Sequence, residues 1–459
     1  MTIESVNPAT GEAIETYEET TPEQVAAAIE TADEAFLGWR KVGFAERAER
    51  LAAAAKVLRE RKDEYGRLMA VEMGKPVGDG RSEAEKCAWV CDYYAENAER
   101  FLADEPAATD AAKSYVAYRP LGVVLAVMPW NFPFWQVFRF AAPGLMVGNA
   151  ALLKHASNVP GCALAIEDVF RRAGFPDGLF KTLLIGSGRV ENEVLDHPKI
   201  RAATLTGSVA AGKAIGGEAG RRIKKTVLEL GGSDAYLVLE DADLDHAVPA
   251  CVASRLVNSG QSCIAAKRFI VPRSIAGEFT ERFVEEMRGK RMGDPLDEAT
   301  VVGPQARRDL RDDLHEQVQK SVARGARLLL GGEVPGGPGA FYPPTVLAGV
   351  GPGMPAYEEE LFGPAAAIIE VAGEEEAIRV ANDSRFGLGA AVFSRDVERA
   401  ERIAADRLDA GCCFVNAFVK SDPRLPFGGV KESGYGRELG RHGIREFVNA
   451  KTVWVESSR

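Results

Sequence analysis

The chain has 459 residues, more than one ordinary hydrophobic core organises, so two or more domains are expected. Hydrophobic residues make up 46% and charged residues 27%, and the net charge of -11 is spread along the chain, which argues against the concentrated basic face that nucleic acid requires. No stretch approaches the ~20 apolar residues that span a bilayer, the start lacks a secretion signal, and the seven cysteines include no Cys-x-x-Cys pair, so a cytoplasmic protein with free thiols and no metal site is expected.

The spacing of apolar residues predicts helices over 22–39, 44–73 and 83–101, the second ending at Gly74-Lys75-Pro76. Residues 109–114 are small and polar and suit a linker. From Val123 the pattern changes to short apolar strands (123–127, 150–153, 182–185, 202–205 and 226–230) alternating with amphipathic segments that begin near Val159 and Ser208. Near-continuous apolar strands separated by helices indicate a parallel sheet covered on both faces, hence a doubly wound α/β unit. The alternation continues with strands 235–239 and 269–271 and helices over 244–257 and from 276. This predicts a second α/β unit after about residue 232, with a Gly/Pro-rich loop over 331–339. The segment 446–455 reads as a strand that pairs with another subunit.

Four segments carry candidate chemistry. Asn258-Ser-Gly-Gln-Ser-Cys263 is a small-residue loop after a helix, suiting either a nucleophilic thiolate or a packed thiol. Val227-Leu-Glu229-Leu230-Gly-Gly232 puts an acid at an apolar strand end, either a general base of raised pKa or a glutamate facing water. Pro129-Trp130-Asn131-Phe-Pro133 fixes an amide between two prolines, able to donate to an oxyanion or to stabilise its own turn. Thr206-Gly207-Ser208 opens a helix and offers a pyrophosphate site. The following Gly212-Lys213-Ala214 lacks the Ser or Thr that a magnesium-binding phosphate loop requires. The five histidines have neither metal nor triad spacing, and His155 and His442 read as surface or packing residues.

Taken in order, these segments, with Lys154, Glu360-Leu-Phe362-Gly-Pro and Pro426-Phe-Gly-Gly-Val-Lys-Glu-Ser-Gly434, resemble the aldehyde dehydrogenase superfamily over essentially the whole chain. The resemblance implies a cofactor-binding domain (1–112 and 122–231), a catalytic domain (232–428) and a small β oligomerisation element (113–121 and 429–459). It implies Cys263 as nucleophile, Glu229 as base for water, and Asn131 with the Cys263 amide as oxyanion donors. It further implies NAD or NADP held by Trp130, Lys154, Ser157, Gly207, Ser208, Leu230, Glu360 and Phe362. NAD-strict relatives often carry Glu where this chain has Ser157, so a 2′-phosphate is tolerated.

The wording around Trp130–Arg139, Leu152–Ala156, Ala265–Ile270 and Phe427–Lys431 is similar to bacterial-type succinate semialdehyde dehydrogenases, which implies that aldehyde as substrate. Arg139 stands where that group places an arginine for the substrate carboxylate, a fitting bidentate partner. A second such arginine, six residues before the nucleophile, is replaced by Val257, leaving Lys420, Ser421 or Arg424 to compensate. Ala265 stands where some relatives carry a redox-switch cysteine. A homodimer or homotetramer is implied, joined by pairing residues 115–119 to the C-terminal strand of a partner. The alternatives are a broad-range aliphatic or other semialdehyde dehydrogenase, or a catalytically inactive protein on this fold.

Overall fold

The computed structural model describes residues 2–457. Two parallel sheets form its frame. The first contains strands Val123–Met128, Ala150–His155, Phe180–Thr182, Ile200–Thr206 and Lys225–Glu229. Numbered along the chain, these five lie in the order 3-2-1-4-5, with Gly434–Tyr435 added antiparallel at the outer edge. The strand order reverses between Val123–Met128 and Ile200–Thr206. In doubly wound sheets, ligands bind outside the carboxyl ends of strands at such a switch point. Here those ends are Met128-Pro-Trp-Asn131 and Thr206-Gly-Ser208.

The second sheet has seven strands, ordered Arg327–Leu330, Thr345–Ala348, Ala365–Val371, Arg268–Pro272, Ala235–Val238, Gly389–Phe393 and Cys412–Val415. All its pairings are parallel except the first. Its inner strands bury both faces, as the continuous apolar runs require.

The N-terminal helices cover the first sheet. Pro22–Trp39 begins with a capping box, in which the Thr21 side chain accepts from Gln24 N and the Gln24 side chain accepts from Thr21 N. The single helix expected over 44–73 is two helices, Phe44–Glu60 and Lys62–Met73. Arg61 leaves helical geometry between them, and its guanidinium reaches Asp168 on helix Pro160–Arg172 at 2.8 Å. Gly74, at φ 80, ends the second in the left-handed region, as expected for the breaker.

The C-terminal strand corrects one expectation. Val448–Val455 pairs antiparallel with Lys113–Pro120 of its own chain, from Val448↔Pro120 to Val455↔Lys113. An eight-residue register within one chain supplies the partners that the sequence reading sought in a second subunit. Among the described residues, no helix is long and apolar enough to cross a membrane.

Candidate active site

The loop Val257–Cys263 is built under backbone constraint. Asn258 and Ser259 lie at φ 52 and 57, and Gly260 at 77, three consecutive residues in the left-handed region. Two non-glycine residues hold such geometry only where the surroundings over-determine it. Here they do. Asn258 Nδ2 donates to the carbonyls of Asn131 (2.7 Å) and Gln261 (3.1 Å). Arg255 donates to Gly260 O at 2.7 Å, Gly303 N to Ser259 Oγ at 2.8 Å, and Ala306 N to Gln261 Oε1 at 2.8 Å.

Lys267, fully buried beneath this loop, donates to the carbonyls of Ser262 (2.8 Å) and Cys263 (2.6 Å). Both carbonyls are thereby drawn to one side. The Cys263 N–H donates to no protein acceptor among the described residues. Asn131 joins it from the other sheet, its Nδ2 3.1 Å from Gln261 O. Burial pushes the Cys263 thiol up to about 12, with the Lys267 and Arg139 charges opposing that rise.

The Asn131 loop is equally braced. Buried Glu83 accepts from Phe134 N (2.9 Å) and Trp135 N (2.8 Å), capping helix Trp135–Val147, and is itself ion-paired with Lys75. His155 is a buried brace, not a surface residue. Its Nδ1 accepts from Ala156 N at 2.8 Å, so Nε2–H donates to Pro133 O at 2.9 Å. Burial holds the ring's pKa down at about 4.

Glu229 ends strand Lys225–Glu229. It is buried, and neither carboxylate oxygen has a hydrogen-bond partner. Gly428 packs directly on this carboxylate, and Gly232, three residues on, packs against the Cys263 carbonyl. Desolvation raises the Glu229 pKa well above the carboxylate range; Arg139 opposes this and Glu438 reinforces it.

Arg139 is already engaged within the chain. It is 2% exposed and ion-paired with Glu438. It also donates to Thr206 Oγ1 at 3.3 Å and stacks on Phe427 at 4.7 Å. A guanidinium already neutralised by a buried carboxylate is not a free partner for a substrate carboxylate. Of the compensating residues, Lys420 is exposed and Arg424 is held by Asp422 at 2.7 Å, whereas Ser421 is buried.

The remaining candidates line the switch-point crevice. Ser208 caps helix Val209–Arg221 by accepting from Ala211 N at 3.2 Å. The amides of Val209 and Ala210 have no protein acceptor among the described residues, which suits a pyrophosphate. Gly207 N is tied to Glu229 O at 2.9 Å, and Leu230 N to Ser433 O at 3.0 Å. Lys154 Nζ lies 3.0 Å from Ser187 Oγ. Glu360 accepts from Gly232 N at 3.0 Å, and Phe362 meets Trp130 edge to face at 5.6 Å. Ser157 lines a cavity of about 590 Å³ with Asn158, Gly186, Arg307 and Arg308. Both amide atoms of Asn158 are buried without partners. Glu19 on the same wall is paired with Arg189 at 3.0 Å. These residues fit a nicotinamide dinucleotide, and the absence of an acid at position 157 admits a 2′-phosphate.

Sequence reasoning missed Asn258, Lys267, Glu438 and Ser433. Ser433 donates to Gly231 O (2.6 Å) and accepts from Gly387 N (3.0 Å), tying the Glu229 segment to the chain that leads into strand Gly389–Phe393. Lys267, with Arg268 one of two adjacent cations leading into an apolar strand, carried a readable signal; Ser433 carried none.

The sequence profile of the Aldehyde dehydrogenase family matches residues 1–453. A Synechocystis protein described as a probable succinate-semialdehyde dehydrogenase (NADP(+)) is 52% identical, covering 99% of this chain and 100% of its own. A Mycobacterium tuberculosis succinate-semialdehyde dehydrogenase (NADP(+)) 1 is also 52% identical, with the same shares. Among solved structures, the Streptococcus pyogenes succinic semialdehyde dehydrogenase in complex with NADP+ superposes with a TM-score of 0.97 at 39% identity, covering 99% of this chain and 100% of that one.

Proposed function

The chain belongs to the aldehyde dehydrogenase family, and from that premise we propose that it oxidises succinate semialdehyde to succinate with NADP. The observation that carries the chemistry is the pairing of an unpartnered buried carboxylate, Glu229, with a braced thiol, Cys263, beside two oxyanion donors. The substrate and cofactor rest on the printed activities of relatives 52% identical over full length.

Cys263 adds to the aldehyde carbon, forming a carbon–sulfur bond as its thiol proton passes to solvent water and the carbonyl π electrons move onto oxygen. Asn131 Nδ2 and the Cys263 N–H receive the resulting oxyanion, and their preorganisation lowers the barrier because no reorientation accompanies the charge. A bound nicotinamide would supply the hydride acceptor for that carbon, so that Cys263 would carry the acyl group as a thioester. Glu229 then takes a proton from water, which attacks the thioester and releases succinate and the thiol. Its raised pKa makes it a strong base for that step. Ser208 and the Val209 and Ala210 amides would hold the pyrophosphate, Lys154 the ribose, and Ser157 would leave room for the 2′-phosphate. Glu360 would turn from Gly232 N to the nicotinamide ribose, with Trp130, Leu230 and Phe362 around the ring.

We also propose a homo-oligomer, supported by the exposed Trp454 and Val455 on strand Val448–Val455. A cytoplasmic setting is supported by seven free cysteines. The test is kcat/KM for succinate semialdehyde and butyraldehyde, each with NAD and NADP. Tenfold or greater preference for succinate semialdehyde with NADP is expected. A ratio near one for the aldehydes would leave a broad-range aldehyde dehydrogenase.

A further inference from the structure

With Arg139 committed to Glu438, the charge that recognises the substrate's far end must come from elsewhere. Helix Val77–Phe101 carries Glu83 and, three residues on and therefore on the same face, Lys86. Glu83 is bonded to the amides of Phe134 and Trp135, so this face looks onto the turn that follows Asn131. The Lys86 ammonium lies 4.3 Å from the centre of the Trp135 ring and 2.8 Å from Ser421 Oγ. Trp135 Nε1 donates to the same oxygen at 3.1 Å.

This cluster has donors and no acceptors to match. Ser421 Oγ already accepts twice, so its own O–H remains to be given, and Lys86 has two further N–H groups. The neighbouring acids are taken: Glu83 by Lys75 and two amides, Asp422 by Arg424. Among the described residues Lys86 forms no ion pair, although it is half-buried. A partly desolvated cation without a counter-charge calls for an anion from outside.

The cluster sits on the turn that joins Asn131 to the helix carrying Arg139. The charge of Arg139 acts on Lys86, Cys263 and Glu229 alike, so all three lie within electrostatic reach of one guanidinium. Burial, reinforced by Arg139, pushes the Lys86 ammonium down to about 8, and a carboxylate would restore it.

We propose that Lys86, with Ser421 Oγ–H, binds the carboxylate of the semialdehyde and sets the preference for acidic over neutral aldehydes. This rests on the succinate semialdehyde reading and supplies that reading with its cation. Replacing Lys86 by Met keeps the apolar stem over Trp135 and removes the charge. A charge-assisted hydrogen bond contributes about 1.5–3 kcal/mol, roughly a 10- to 150-fold change.

The experiment measures kcat/KM for succinate semialdehyde and butyraldehyde on wild type, Lys86→Met, Lys86→Arg and Ser421→Ala. The expected result is a 10- to 100-fold fall in the succinate semialdehyde:butyraldehyde ratio for Lys86→Met, carried by KM. Lys86→Arg should restore most of the ratio, and Ser421→Ala should give a smaller fall. The ratio is read within one protein sample, so a loss of folded enzyme does not imitate it. A wild-type preference that Lys86→Met retains would overturn the role of Lys86 alone. A wild type with no preference would overturn the substrate reading itself.

Discussion

The Cys263 loop and the Glu229 pocket belong to different sheets and are held in opposite ways. Around Cys263 the backbone itself is tied down: side-chain bonds of Asn258, Gln261, Arg255 and Lys267 together fix a left-handed run. Around Glu229, both carboxylate oxygens are unpartnered, and a glycine lies against them. The difference fits the proposed tasks. A nucleophile and its oxyanion donors gain from rigid placement, whereas a base gains from a carboxylate kept short of hydrogen bonds and therefore basic.

The largest expected effect separates the two regions outright. Cys263→Ala should abolish cofactor reduction, by about 10⁴-fold or more. Glu229→Gln should leave the first turnover intact and slow only the steady state, by about 10²- to 10⁴-fold. Stopped-flow absorbance of the reduced cofactor reads both. Equal loss of burst and steady state in Glu229→Gln would erase the contrast. In wild type, deacylation should rise with pH through an apparent pKa above the ordinary carboxylate range of about 4.3, because only the ionised acid accepts the proton.

Lys267→Met should come next. It releases the Ser262 and Cys263 carbonyls and removes a charge that opposes the rise in thiol pKa. The burst rate should fall about 10- to 100-fold, and alkylation of Cys263 at fixed pH should slow, while deacylation is little changed. A drop confined to deacylation would assign Lys267 to the other side.

How much of this was legible in sequence depends on whether a feature is local. Strand and helix order and the switch-point loops were readable, because apolar periodicity encodes them nearby, whereas the local pattern left Cys263, Glu229 and Asn131 with two readings each and only the family resemblance chose between them. The break at Arg61 was not, since Asp168, its partner, lies 107 residues away. Nor was the ion pair between Arg139 and Glu438, separated by nearly three hundred residues, which turns an expected substrate ligand into an internal one. His155 read as surface or packing because its partner, Pro133 O, is a backbone atom that no composition reveals.

That histidine gives the smallest effect. Its pKa falls from 6.5 to about 4 on folding, so between those values the unfolded chain binds more protons. Its contribution to stability is complete above pH 6.5 and is lost as the pH falls toward 4, by about 3 kcal/mol at most. His155→Gln should therefore flatten that part of the stability-pH curve from denaturant unfolding. An unchanged slope would remove the neutral ring as the brace.

The most direct test of the whole account is intact-protein mass spectrometry of Glu229→Gln after mixing with succinate semialdehyde and NADP, followed by peptide mapping. The account predicts one succinyl group per chain, on Cys263, in thioester linkage that hydroxylamine removes. No adduct under conditions where reduced cofactor forms, or an adduct on another cysteine, would contradict it.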